Sequence, residues 1–368
     1  MILFITRKHP PSIGGMQKLS QSLTQEVGRL APTATIAWGR SALGLPWFLS
    51  YAVYKSLRII RRNPQIEVIH LSDAVLAPFG VLLKRLFGLP VVVTVHGLDI
   101  TFPQQSYQRA VAGALKRLDR LVCVSRYTRD QCLRRGIPPE ICEVIPNGID
   151  VHEFEAPPTA AGLAEVRTLA GGRLDGRKVL LTVGRLIERK GVVHFLDAIL
   201  PRVLEQFPDV CYLIVGDGPH REVIETRIAS RGLDAHVALV GQVGDAGLKA
   251  AYHLADLFVM PNMPVPYDVE GFGIVALEAA ASGRWSVAAD VDGIPEAVIP
   301  GRNGDLLDPV DTTGWVQAIL RWLRDDPARA AAGVQAHDYV ADHYAWDLIA
   351  ARYAQMFLSV AAQARARR

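Results

Sequence analysis

The 368-residue chain lacks most of the features that would confine it to a special environment. Its four cysteines (Cys123, Cys132, Cys142 and Cys211) are scattered, with no CxxC pair and no nearby histidine set. That pattern excludes a zinc site and a disulfide framework, and leaves buried free thiols. No apolar run approaches the ~18 residues needed to span a bilayer. The amino terminus, MILFITRKHPPS, has no charged start, apolar middle or small-residue cleavage site. It therefore reads as a strand and a loop, and the cytoplasm is the expected compartment. No low-complexity tract occurs, so a folded protein is expected throughout. The length suits two domains rather than one core.

Charge of one sign is also unevenly supplied. Residues 1–160 carry 19 Lys and Arg against 11 Asp and Glu, whereas the remainder carries 21 against 26. A basic half and a mildly acidic half imply different partners for the two.

Short apolar runs bounded by turns recur with helical stretches between them. They are Ile2–Thr6, Ala34–Trp38, Val68–Leu71, Val91–His96, Leu121–Ser125 and Glu143–Pro146, then Val179–Val183, Val210–Val215, Val237–Val240, Leu257–Pro261 and Ser286–Ala289. Runs such as VVVTV and VLLTV are apolar on both faces, as parallel strands covered by helices on each side must be. The expectation is an α/β protein with two Rossmann-like, doubly wound domains facing across a cleft, and with ligands at the strand carboxyl ends. The first domain is read as 1–155, a Pro-, Ala- and Gly-rich linker as 156–176, and the second domain as 177–345. A helix over 346–368 is free to pack back on the first domain.

The stretch EGFGIVALE (Glu270–Glu278) carries the most chemistry. Its glycines, Gly271 and Gly273, permit close backbone approach at a helix start. The amides of Gly273, Ile274 and Val275 then suit a diphosphate or a set of sugar hydroxyls. Glu278 is placed to accept from a ribose diol and Glu270 to meet a transferred sugar. Either acid taken alone fits better as a helix-start carboxylate stabilised by the dipole. In LLTVGRLIERKG, Arg185 and Lys190 follow a buried strand and can neutralise a diphosphate, while Arg189 and Glu188 read as surface charge. YLIVGDGP places Gly216 in a tight turn that is weak evidence of a nucleotide site by itself. Gly14-Gly15 follow the first strand, and His96 ends the strand VVVTV inside the expected cleft.

Together these segments, with VCVSRYT, VIPNGID, VALVGQV, DGIPEAV and GRNGDLLDP, resemble the retaining glycosyltransferases of family 4, which have the GT-B architecture. The resemblance covers nearly the whole chain. It implies a hexosyltransferase-type enzyme that takes a sugar from a UDP- or GDP-sugar, retains anomeric configuration, and needs no metal or other cofactor. In it, Arg185 and Lys190 look like the diphosphate pair and Glu278 like the ribose carboxylate. Glu270, with the amides of Gly271, Phe272, Gly273 and Ile274, holds the sugar. Gly15 meets the phosphate, and His96 lies beside the sugar's reactive face. Trp285, Ser286 and Asp292 depart from the family pattern and are expected to alter the sugar pocket.

The acceptor is expected to be a glycan or a polyprenyl-linked glycan in cell-surface polysaccharide or glycolipid synthesis. The stretch Leu45–Arg62 reads as a helix with a core face (Leu45, Phe48, Leu49, Ala52, Val53, Leu57, Ile60) and an aromatic and basic stripe (Trp47, Tyr51, Tyr54, Arg58, Arg61). That stripe suits either an anionic membrane surface, with peripheral attachment to the inner face of the cytoplasmic membrane, or plain solvent. A nucleotide-sugar 2-epimerase and a non-catalytic nucleotide-sugar-binding homologue are the competing readings. Nucleic-acid binding has no motif to support it.

Overall fold

The computed structural model describes residues 1–10, 14–39 and 45–367, without the side chains of residues 45 and 46. The reading of Leu45 as core therefore lies outside the described side chains. The chain forms two compact units, one of residues 1–148 with the segment from Tyr344 onward, the other Ile149–His343.

In the first unit, β1 (Ile2–Thr6), β2 (Thr33–Ala37), β3 (Val68–Leu71), β4 (Val91–Val95), β5 (Arg120–Cys123) and β6 (Cys142–Val144) form a sheet of order β2-β1-β3-β4-β5-β6. Every pairing is parallel. Successive residues feed opposite cores: Leu3, Ile5, Val91, Val93 and Val95 enter one, and Ile2, Phe4 and Val92 the other. This is the period-2 rule of a strand buried on both faces.

The second core also takes Leu23 and Val27 from the Gly15–Leu30 helix, and Ile349, Tyr353, Met356, Phe357 and Val360 from the Trp346–Ala366 helix. The spacing of that last group is one helical face, which is why the chain's final helix joins the first unit. At about 1.5–3 kcal/mol per buried large side chain, this stripe is what holds the terminal helix on the first unit.

The second unit holds β7 (Lys178–Val183), β8 (Val210–Val215), β9 (Val237–Gly241), β10 (Leu257–Met260), β11 (Ser286–Ala289) and β12 (Gly304–Leu307), in the order β12-β11-β10-β7-β8-β9. The strand β12 is not among the expected runs: its sequence, GDLL, is short and half-buried, so it carries little apolar pattern.

The stretch expected to be a linker, 156–176, is instead structured and belongs to the second unit. Thr159 caps a helix over Ala160–Ala170 by accepting from the Gly162 amide at 3.1 Å. Val166 and Ala170 are buried. At Gly162 a Cβ would lie 2.3 Å from the Ala246 carbonyl oxygen, so this helix packs backbone to backbone on the Asp245–Leu254 helix. Its alanines are strong helix formers, a signal hidden by the prolines before it and the glycines after it. The preceding Val151–Glu155 helix is in the second unit as well, which moves the unit boundary from 155 to 148.

Candidate active site

The strand order of the second unit dictates where a ligand would bind. The chain runs outward from β7 to β9, then returns to β10 on the other side of β7. In an open α/β sheet that switch point, at the strand carboxyl ends, is where a ligand crevice is expected. The loops after β7 and β10 are stapled at one place. Gly191 has φ 65°, and a Cβ there would lie 1.7 Å from the Pro261 carbonyl oxygen. Only glycine permits that approach. Beside it, the Met263 amide donates to the Arg189 carbonyl at 2.9 Å.

The staple brings four side chains together. Lys190 Nζ donates to Glu270 Oε2 at 2.6 Å, Arg189 Nη1 donates to the same oxygen, and Asn262 Nδ2 does so at 3.3 Å. Arg189 Nε also holds Asp268 at 2.9 Å. The Glu270 backbone is clamped from the loop after β11: its amide donates to Asp292 Oδ2 at 3.0 Å, and its carbonyl accepts from Gly293 at 2.9 Å. Asp292 holds φ 55°, a conformation disfavoured for residues with a Cβ. Burial pushes the Glu270 carboxyl up, but Lys190 and Arg189 outweigh it and hold the group at about 2. Glu270 is thus an anion at any physiological pH. Its Oε1 accepts no hydrogen bond among the described residues. Arg185, on the same loop as Lys190, is exposed and makes no ion pair among the described residues.

The helix following this loop spans Ile274–Ala281, with Gly273 at φ 96° before its first turn. Glu278 lies within it, and Tyr252 donates its hydroxyl to Glu278 Oε2 at 2.7 Å. Tyr252 is fully buried, and burial together with the Glu278 charge raises its hydroxyl pKa well above the usual value. The Phe272 side chain is buried, so its backbone alone is available to a ligand. Ile274 and Val275 are half-buried at the helix start.

Comparison with known proteins bears on this arrangement. The model named Glycosyltransferase Family 4 matches residues 14–153, and the model named Glycosyl transferases group 1 matches residues 177–325. A phosphatidyl-myo-inositol mannosyltransferase of Mycobacterium leprae is 31% identical over 85% of this chain and 78% of its own length. The chain belongs to glycosyltransferase family 4. A GDP-mannose-dependent alpha-(1-6)-phosphatidylinositol monomannoside mannosyltransferase of Mycolicibacterium smegmatis is 29% identical, over 96% of this chain and 97% of the relative. Among solved structures, Anabaena HepE in complex with UDP superposes with a TM-score of 0.76 at 19% identity, covering 97% of this chain and 99% of that one. Sucrose-phosphate synthase from Thermosynechococcus elongatus gives 0.77 at 22%, covering 98% and 99%. These likenesses establish the GT-B fold.

The first unit of the glycosyltransferase contains its own polar cluster. The His96 Nε2–H donates to the Ser72 carbonyl at 2.9 Å, which leaves Nδ1 as the ring nitrogen open to a further partner. Asp99 fixes the loop beneath, accepting from the amides of His96, Gly97 and Ala74 at 2.9 Å each. His96 borders a narrow pocket shared with Thr6, Lys8, Met16, Ser20 and Tyr353. Arg7 pairs with Asp73 at 2.9 Å across the β1/β3 switch of this sheet. Gly15 opens the Gly15–Leu30 helix, and a Cβ added there would meet nothing within 4 Å.

Some of the expected site residues serve packing. At Gly216 a Cβ would lie 1.9 Å from the Gly184 carbonyl oxygen, so this glycine lets two neighbouring loops approach. Trp285 precedes β11, at the end of the sheet away from the crevice. Its Nε1 donates to Asp305 at 3.1 Å, and its ring lies 5.0 Å from that of Trp322. Ser286 is the buried first residue of the same strand. Of the three departures from the family pattern, Asp292 alone touches the Glu270 cluster. Arg189, whose sequence context suggests surface charge, is the cluster's second cation. Asn262, Asp268 and Tyr252 carry no sequence signal of their roles, because nothing local marks a residue whose partner is distant in the chain.

Proposed function

We propose that this glycosyltransferase transfers mannose from GDP-mannose to a lipid-linked acceptor, with retention of anomeric configuration and without a metal ion. The observation that carries the reading is the cluster at the β7/β10 switch: two adjacent cations, Arg189 and Lys190, on a carboxylate whose other oxygen is unengaged among the described residues, with Arg185 on the same loop. In this reading Arg185 and Lys190 stabilise the departing diphosphate, taking the part a divalent ion plays elsewhere. Glu270 accepts from a sugar hydroxyl through Oε1, and Glu278, steadied by Tyr252, accepts from the ribose. A carboxylate held at about 2 is too weak a base to deprotonate an acceptor hydroxyl. A phosphate oxygen of the donor then receives that proton, on the face from which the leaving group departs, which preserves configuration. The proposal also gives His96 Nδ1 a hydrogen bond to substrate, and Gly15 room for an anion.

The relatives named as GDP-mannose-dependent support that donor, and their phosphatidylinositol acceptors support a lipid one. The Leu45–Arg62 helix fits work at a membrane. Phe48 and Ala52 are buried, while Trp47 is 78% and Tyr54 58% exposed, with Tyr51, Arg61 and Arg62 exposed beside them. Among the described residues no helix is long and apolar enough to cross a bilayer. Peripheral attachment through this face is part of the proposal.

The test is a donor screen with GDP-mannose, UDP-glucose and a dTDP-sugar, in EDTA, over vesicles with and without phosphatidylinositol. Mannose incorporation into lipid, with an α linkage by proton NMR and pelleting on anionic vesicles only, is the expected result. No turnover or binding of any donor would sink it; turnover confined to added metal would remove the metal-free mechanism.

A further inference from the structure

We propose that Arg189 is a positioning residue which holds Glu270 in place when Lys190 turns from that carboxylate to the diphosphate of the donor. The inference rests on reading the β7/β10 crevice as a nucleotide-sugar site, and it adds a charge-exchange step to that reading.

Lys190 cannot serve the diphosphate and keep its full contact with Glu270 at once, because its Nζ lies 2.6 Å from Oε2 and its side chain is only 9% exposed. Withdrawing it would leave a carboxylate that is 15% exposed. Stripping a buried charge of its only partner is strongly unfavourable. Arg189 removes that obstacle. Its guanidinium reaches the same oxygen, and its Nε is anchored on Asp268 2.9 Å away. The Arg189 backbone carbonyl is fixed by the Met263 amide. Asn262 supplies a further donor to Oε2. With Lys190 gone, Oε2 keeps two donors and one full positive charge. The Lys190 stem passes over Gly184, where a Cβ would lie 3.2 Å from Cε, so the ammonium can swing without crossing another side chain at that point. Since Lys190 starts beside the residue that receives the sugar, the phosphate it meets is the one bonded to that sugar. In the nucleotide product this is the terminal phosphate.

Calorimetric binding of GDP and GMP to the full chain separates this from a structural role. Arg189→Gln should weaken GDP at least tenfold while GMP, which lacks the terminal phosphate, stays within threefold. Asp268→Asn, which loosens the loop but leaves the Arg189 charge on Glu270, should keep GDP within threefold. Glu270→Gln frees Lys190 and should bind GDP as tightly as the natural protein or more so, also in combination with Arg189→Gln. Glu270→Gln decides the matter even where Arg189→Gln alone fails to fold. Equal GDP binding by Arg189→Gln, equal losses for GDP and GMP, or no rescue in the double variant would each overturn the proposal. If the natural protein binds GDP and UDP not at all, the donor-site reading itself falls, which is a distinguishable result.

Discussion

Lys190 and Glu270 are 80 residues apart in sequence, and their charged groups meet at 2.6 Å. The meeting point is made by topology, since β7 and β10 are neighbours in the sheet although two other strands lie between them in the chain. A cation and an anion that belong to separate sequence motifs thus form one ion pair.

That pairing sets the expectation for Lys190→Ala. Removing the ammonium takes away leaving-group stabilisation worth about 3 kcal/mol, so kcat should fall roughly a hundred- to a thousandfold. Glu270 retains Arg189 as counter-ion, and the fold should survive, as a melting curve will show. A kcat within tenfold of the natural enzyme would discard the assigned role.

Tyr252→Phe keeps shape and burial but deletes the hydroxyl that donates to Glu278. A hydrogen bond to a charged acceptor contributes about 1.5–3 kcal/mol. The donor KM should rise about tenfold or more with kcat within about twofold, the pattern of lost ground-state binding. An unchanged KM would mean that Glu278 does not hold the donor, or does not need Tyr252 to do so.

Gly191→Ala places a methyl 1.7 Å from the Pro261 carbonyl oxygen at φ 65°. The loops must separate or the backbone must change, at an expected cost of about 3–5 kcal/mol in urea unfolding. The surviving folded protein should also lose donor binding, because the loops carrying Lys190 and Glu270 no longer meet to form one site. A loss below about 1 kcal/mol would show that the loops do not touch as described.

A pH dependence follows from His70 in the first unit. It is buried among Phe4, Tyr353 and Phe357, with its Nε2 2.9 Å from Thr94 Oγ1. Burial, helped by the neighbouring His96, lowers its pKa from 6.5 to about 3. The folded protein keeps the ring neutral while the unfolded chain protonates it, so this stability is complete above about pH 6.5 and is lost as pH falls toward 3. Between pH 7.5 and 5.5 the natural protein should lose about 1.4 kcal/mol more than His70→Gln in chemical denaturation. Parallel losses would place the ring in contact with solvent.

Much of this was legible in the amino-acid order. Val91–Val95 and Val179–Val183 are apolar at every or nearly every position, a pattern that only strands covered on both faces need, so two parallel sheets followed directly. EGFGIVALE and GRLIERKG pointed to a donor site because glycine, carboxylate and cation at those spacings answer a specific chemical requirement. Patterns of this kind are local, and local patterns survive in one dimension. The helix at Ala160–Ala170 was obscured by its flanking breakers, and GDLL was too short and too exposed to register as a strand.

What the tertiary structure alone decided is which charges meet. Arg189 and Arg185 are four positions apart on one loop, and nothing in their neighbours along the chain says that Arg189 is the half-buried one. Arg189 turns inward because Asp268 and Glu270, brought back by β10, compensate its desolvation, whereas Arg185 finds no such partner among the described residues and stays in solvent. Gly216 and Trp285 likewise take their roles from what they touch. Residue type fixes the chemistry a side chain can perform. Burial and partners, which depend on how distant strands are ordered in a sheet, fix the chemistry it is left free to do.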